Sequence, residues 1–113
     1  MLILINFLSI NRMIQSYKGN YPYSEKVVSD WDSTAIGVYY CGYPNTNGLY
    51  VLYVGKATGD EGIKGRLLQH LRENKWPDVS HFGYCICSTA KEARDFEASE
   101  IKRLQPKYNE QGI

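Results

Sequence analysis

Ile36-Gly-Val-Tyr-Tyr-Cys41 and Leu49-Tyr-Val-Leu-Tyr-Val54 decide how this chain is read. Both segments are β-branched and aromatic, which favours extended backbone. Between them, Pro44, Asn45, Asn47 and Gly48 are turn formers, so the two predict a hairpin whose long loop runs from Gly42 to Gly48. A polar connection from Gly55 to Gly62 follows. Ile63, Leu67, Leu68 and Leu71 then recur at helical spacing to about Asn74, ahead of Pro77. Phe82-Gly-Tyr-Cys-Ile-Cys87 predicts a third strand. Thr89 and Glu92 stand at capping-box spacing before a helix that reaches about Leu104 and stops short of Pro106. The order β-β-α-β-α predicts an α/β fold: a small three-stranded antiparallel sheet flanked by helices.

The composition suits such a domain. With 43% hydrophobic and 22% charged residues in 113, the chain has the make-up of a folded globule, neither disordered nor membrane-spanning. A net charge of +1 excludes binding to nucleic acid by bulk basicity, but leaves room for a few placed cations on phosphate. The domain is read as residues 35–113. Residues 1–34 form an N-terminal extension packing on it, whose charges cancel (Arg12, Lys18 and Lys26 against Glu25, Asp30 and Asp32). The apolar run Met1-Leu-Ile-Leu-Ile-Asn-Phe-Leu8 lacks the basic flank and cleavage site of a secretory signal and is short of the ~20 residues that span a bilayer. It reads as a strand or helix on the domain, with Met13 as an alternative start. Three cysteines, an odd number, predict free thiols in a reducing, cytoplasmic setting. Cys85 and Cys87 share a strand face, where with His81 they are half a zinc site or simply buried small hydrophobes.

Several residues stand out chemically. On a helical wheel Ala90, Ala93, Ile101 and Leu104 make an apolar stripe with Glu97 in its middle. A carboxylate there needs a cation, as metal or ion pair, or else snorkels at the edge. Glu100 lies near the same stripe. Arg66 and His70, four apart, share a helix face beside the Ile63/Leu67/Leu71 stripe, which alone predicts a solvated polar edge. Lys56 follows the second strand between Gly55 and Ala57. The ten tyrosines read as cross-strand packing or as stacking surfaces for bases.

Taken in order, these residues resemble the GIY-YIG nuclease superfamily. Gly37-Val-Tyr39 and Tyr53-Val-Gly55 look like its paired strand motifs, with Val in place of Ile. Ile63-Lys-Gly-Arg66-Leu-Leu-Gln-His70 resembles its arginine helix. Phe96-Glu97-Ala-Ser-Glu-Ile-Lys-Arg-Leu104 resembles its glutamate helix, and Pro106-Lys-Tyr-Asn109 its asparagine motif. The likeness spans roughly Ala35 to Asn109. About three extra residues lie between Tyr53 and Arg66, which makes Lys64 the fallback cation.

The resemblance implies a DNA endonuclease, in repair or in mobile-element cutting, that works with Mg²⁺ or Mn²⁺. Glu97 would hold the metal and Arg66 the scissile phosphate. Tyr39 and Tyr53 would flank the attacking water, with Tyr39 favoured as general base and Lys56 lowering the phenol pKa. His70 would assist with water or phosphate. Asn109 would orient the glutamate helix or touch phosphate. Lys56, Lys64, Arg66 and Arg72 would bind substrate, and a DNA-targeting protein or a homodimer would supply reach. The alternative is a non-catalytic module on the same fold that binds nucleic acid or protein. From Gly37 onward ten Lys and Arg meet nine Asp and Glu, which is thin for unaided DNA binding. A third reading, Cys41 or Cys85 with His70 or His81 as nucleophile and base, has no local motif behind it.

Overall fold

The computed structural model describes residues 15–110. The apolar run of residues 1–8 and Met13 lie outside the described residues. In chain order the elements are β1 (Lys18–Pro22), α1 (Glu25–Asp30), β2 (Gly37–Asn45), β3 (Gly48–Ala57), α2 (Gly62–Glu73), β4 (His81–Ile86), α3 (Ala90–Leu104) and α4 (Lys107–Glu110). The strands form one antiparallel sheet in the order β1-β4-β2-β3.

The α/β class is as expected, but the sheet has four strands rather than three. Lys18-Gly-Asn-Tyr-Pro22 is exposed along its length and has no alternating apolar face. It joins the sheet edge through its backbone, pairing Lys18 with Tyr84 and Tyr21 with Phe82, so side-chain patterning could not reveal it. The hairpin loop is also shorter than expected. Asn45 pairs with Gly48 across a two-residue turn, and β2 runs on through Pro44. Pairing of β2 with β4 ends at Gly42↔His81, so Pro44 lies where one side of β2 has no partner to miss its N–H.

Side chains alternate across β2 and separate two cores. Tyr39 and Cys41 face α1 and α2, packing with Leu52, Phe82, Val28, Ile63, Leu67, Trp76 and Tyr108. Val38 and Tyr40 face α3 and pack with Val54, Cys85, Cys87, Ala93 and Phe96. Ile63 and Leu67 are fully buried, each contributing about 2 kcal/mol by removal from water. Between Cys41↔Tyr53 and Gly42↔Val51 the register slips by one, leaving Leu52 as an extra residue on β3. That bulge lets Leu52 and Tyr53 both pack toward the α2 side.

Helix ends follow their local chemistry. Helix α2 begins at Gly62, whose φ of 64° and 2.2 Å clearance from a built Cβ to the Thr34 carbonyl oxygen admit only glycine. It ends at Asn74 in the left-handed conformation. Thr89 caps α3 by accepting from the Glu92 N–H at 3.1 Å. Among the described residues no helix is long and apolar enough to cross a membrane.

Candidate active site

Tyr39 is the largest fully buried side chain. Its ring lies across β3 above Gly55, where an added Cβ would come within 2.4 Å of the phenol oxygen. The missing side chain at Gly55 therefore lets a β2 phenol reach α2. There Tyr39 Oη lies 2.9 Å from His70 Nε2. The Tyr53 ring stands 6.2 Å from that of Tyr39 and 5.5 Å from that of His70. Tyr53 is half-buried, and so the accessible one of the two phenols.

Arg66 is one turn ahead of His70 on α2, and its charge acts on Tyr39, Tyr53 and His70. Gln69 Oε1 accepts from Arg66 Nη1 at 2.6 Å. Gly59, Asp60, Glu61 and Gln69 help line a cavity of about 260 Å³ that opens onto this guanidinium. Burial pushes both phenols above the ordinary tyrosine range, with Arg66 opposing it. Burial first, then Arg66, brings the His70 imidazole down to about 4, so it is neutral at neutral pH. His70 is thus no solvated edge: it is 5% exposed and belongs to the buried face of α2.

Glu97 lies on the other side of β3. Lys56 pairs with Val38 in register and so projects toward α3, where its Nζ meets Glu97 Oε1 at 3.4 Å. Glu97 is close enough to Tyr53 for its charge to raise that phenol. The sequence-read residues therefore fall into two groups astride the edge strand. Tyr39, Tyr53, Arg66 and His70 occupy one side, Lys56 and Glu97 the other, and Tyr53 links them electrostatically.

Two placements, those of Glu100 and Arg72, differ from expectation. Glu100, not Glu97, sits deepest in the α3 stripe, at 4% exposure. Tyr40 Oη donates to it at 2.6 Å and Arg103 donates twice, at 2.7 and 2.9 Å, so its charge is fully partnered. Arg72 stands away from the cluster and ties α2 to α1 through Glu25 at 3.1 Å. Asn109 has both ends of its amide on β3: its Oδ1 accepts from the Val54 N–H at 2.8 Å and its Nδ2 donates to the Val54 carbonyl at 2.9 Å. It fastens the chain after α3 to the sheet edge beside Tyr53, an orienting role. Lys64, half-buried and two residues from Arg66, lies on a different side of α2 and makes no ion pair among the described residues.

Among the described residues no three His, Cys, Asp or Glu side chains gather as a ready-made metal cage. The donor set is a single carboxylate, Glu97, 17% exposed and touched by one lysine. Mg²⁺ and Mn²⁺ keep most of their waters and take one or two carboxylates plus substrate phosphate, so Glu97 fits such an ion. Cys85 and Cys87 are buried small hydrophobes, with burial pushing both thiols up to about 11. Sequence reasoning missed Trp76, whose ring lies 4.6 Å from both Tyr53 and His70. Its only signal was a tryptophan just ahead of Pro77.

No family model, curated protein or solved structure matches this chain.

Proposed function

We propose that this chain is a metal-assisted DNA endonuclease of the GIY-YIG type, hydrolysing a phosphodiester by direct attack of water. The observation that carries the reading is the meeting of two tyrosines, an arginine and a neutral histidine from three elements, with a carboxylate in electrostatic reach across β3. Such a set combines proton acceptance with phosphate binding.

Tyr53 is the phenol that meets the attacking water, because Tyr39 has no exposed surface. Water gives its proton to the Tyr53 oxygen as it attacks phosphorus. The Tyr53 proton passes to Tyr39, whose ring is its neighbour at 6.2 Å between centroids. The Tyr39 proton passes to His70 Nε2 over 2.9 Å. Arg66 neutralises the charge gathering on the phosphate oxygens, for which its planar fork is suited. Glu97 would hold Mg²⁺ or Mn²⁺, which when bound supplies polarisation of the phosphate and stabilisation of the departing 3′ oxygen. Lys56 keeps the Glu97 carboxylate oriented and paired until then. Cutting both strands with one small site calls for a homodimer or sequential nicking, and a separate DNA-targeting protein would supply specificity.

The test is nicking of supercoiled plasmid at low salt with Mg²⁺ or Mn²⁺, comparing wild type with Glu97→Gln and Arg66→Ala. Cutting by wild type alone is expected. Equal cutting by wild type and Glu97→Gln overturns the assignment of the site. The second reading, a non-catalytic binding module, is favoured by two observations: Tyr39 is sealed, and Glu97 is already paired with Lys56. Retained DNA binding without cutting by any folded form would select it.

A further inference from the structure

Only one of the two ring nitrogens of buried His70 has a partner. Nε2 faces Tyr39 Oη, while Nδ1 makes no hydrogen bond among the described residues. Facing Nδ1 at 3.7 Å is Glu73 Oε1, on the same helix one turn further on. Glu73 is 39% exposed, and Gln69 and Lys75 each reach its carboxylate at 3.4 Å.

We infer that Glu73 is the positioning residue of a Tyr39–His70–Glu73 relay. It holds the imidazole proton on Nδ1, leaves Nε2 free to accept from Tyr39, and closes onto Nδ1 as the ring becomes cationic. The catalytic part of this rests on the nuclease reading; the tautomer does not.

A neutral imidazole carries one donor and one acceptor. With the proton on Nε2, the lone pair of Nδ1 would face a carboxylate and Tyr39 would have to find another acceptor. With the proton on Nδ1 both neighbours are complementary. The groups facing the ring are Arg66, Glu73 and, just beyond α2, Lys75, together with Tyr39 from β2, Tyr53 from β3 and Trp76. Arg66 and Lys75 oppose an imidazolium. Glu73 is the one anion among them, and the Trp76 face adds a weaker attraction. Closing the gap needs a side-chain adjustment by a part-exposed glutamate and no backbone movement. When the Tyr39 proton moves to Nε2, the Nδ1 proton is held by Glu73, and after turnover the proton on Nε2 returns through Tyr39 and Tyr53 to solvent, which restores the Nδ1–H tautomer. The arrangement follows the logic of an acid that orients a histidine acting on a hydroxyl.

The experiment is long-range ¹H–¹⁵N correlation of the His70 ring in the full labelled chain across acid pH, with His81→Gln to assign it. Wild type is expected to show a pyrrole-type Nδ1 and a pyridine-type Nε2. Glu73→Gln should keep that tautomer and weaken proton uptake about tenfold; Glu73→Ala should mix the tautomers. Nicking by Glu73→Gln should slow about tenfold with DNA affinity unchanged. A wild-type proton on Nε2, a Glu73→Ala spectrum and midpoint equal to wild type, or undiminished nicking by Glu73→Gln would each overturn the relay. If wild type does not nick but the ring signals respond to Glu73 as stated, the nuclease reading fails and the tautomer assignment stands.

Discussion

Two acids three residues apart on α3 separate chemistry from architecture. Glu97 is partly open and loosely held by one lysine; Glu100 is sealed and takes three hydrogen bonds. Removing Glu100 strands the buried Tyr40 hydroxyl, while Arg103, 61% exposed, turns to water, and leaving a buried hydroxyl unpaired costs about 1–3 kcal/mol. Glu100→Ala is therefore expected to lower the urea midpoint sharply, while Glu97→Gln unfolds like wild type. A reversed result in chemical denaturation would mean that the two acids had been misassigned. The spacing made both visible as anomalies on an apolar stripe. It could not rank them, because the deciding partners, Tyr40 and Lys56, come from strands distant in sequence.

Strand β3 and its bulge set the geometry of the cluster. Gly55 matters for what it lacks: a methyl there would collide with the Tyr39 ring, whose far end is pinned by His70. Gly55→Ala should cost about 1–3 kcal/mol through overpacking and push the phenol off the imidazole. The check is a lowered melting temperature together with altered His70 ring signals. A variant as stable as wild type would show that Tyr39 can yield. At the open edge of the same strand, the Asn109 amide occupies both backbone groups of Val54. It stands in for a fifth strand at that point and shields an edge that would otherwise invite pairing. The Tyr–Val–Gly sequence was readable as a motif, but why it ends in glycine was not, since the obstructing ring belongs to β2.

Across the whole molecule, His70 couples stability to pH. The unfolded chain takes up a proton near the ordinary histidine value of 6.5, the folded chain only near 4. Between those values the unfolded state binds more protons, so stability falls as pH drops through that window and this contribution levels off below it. The full effect is roughly 3 kcal/mol. Urea unfolding at about pH 7 and about pH 4.5 should show wild type losing more stability than His70→Gln, by roughly 2–3 kcal/mol. Equal losses would mean that the ring is not held neutral by the fold.

The α/β class, the β2–β3 hairpin, both long helices and the residues of the candidate site were legible in the chain. Each rests on local signals: alternation or helical spacing of apolar residues, turn formers and caps. Strand β1 was not legible, because an exposed edge strand is held by backbone hydrogen bonds that leave no side-chain pattern. Nor were the burial of His70, the order of Glu97 and Glu100, or the reach of Glu73. These depend on which side chains from distant segments share a volume and a field, and only the packed sheet with helices on both faces decides that.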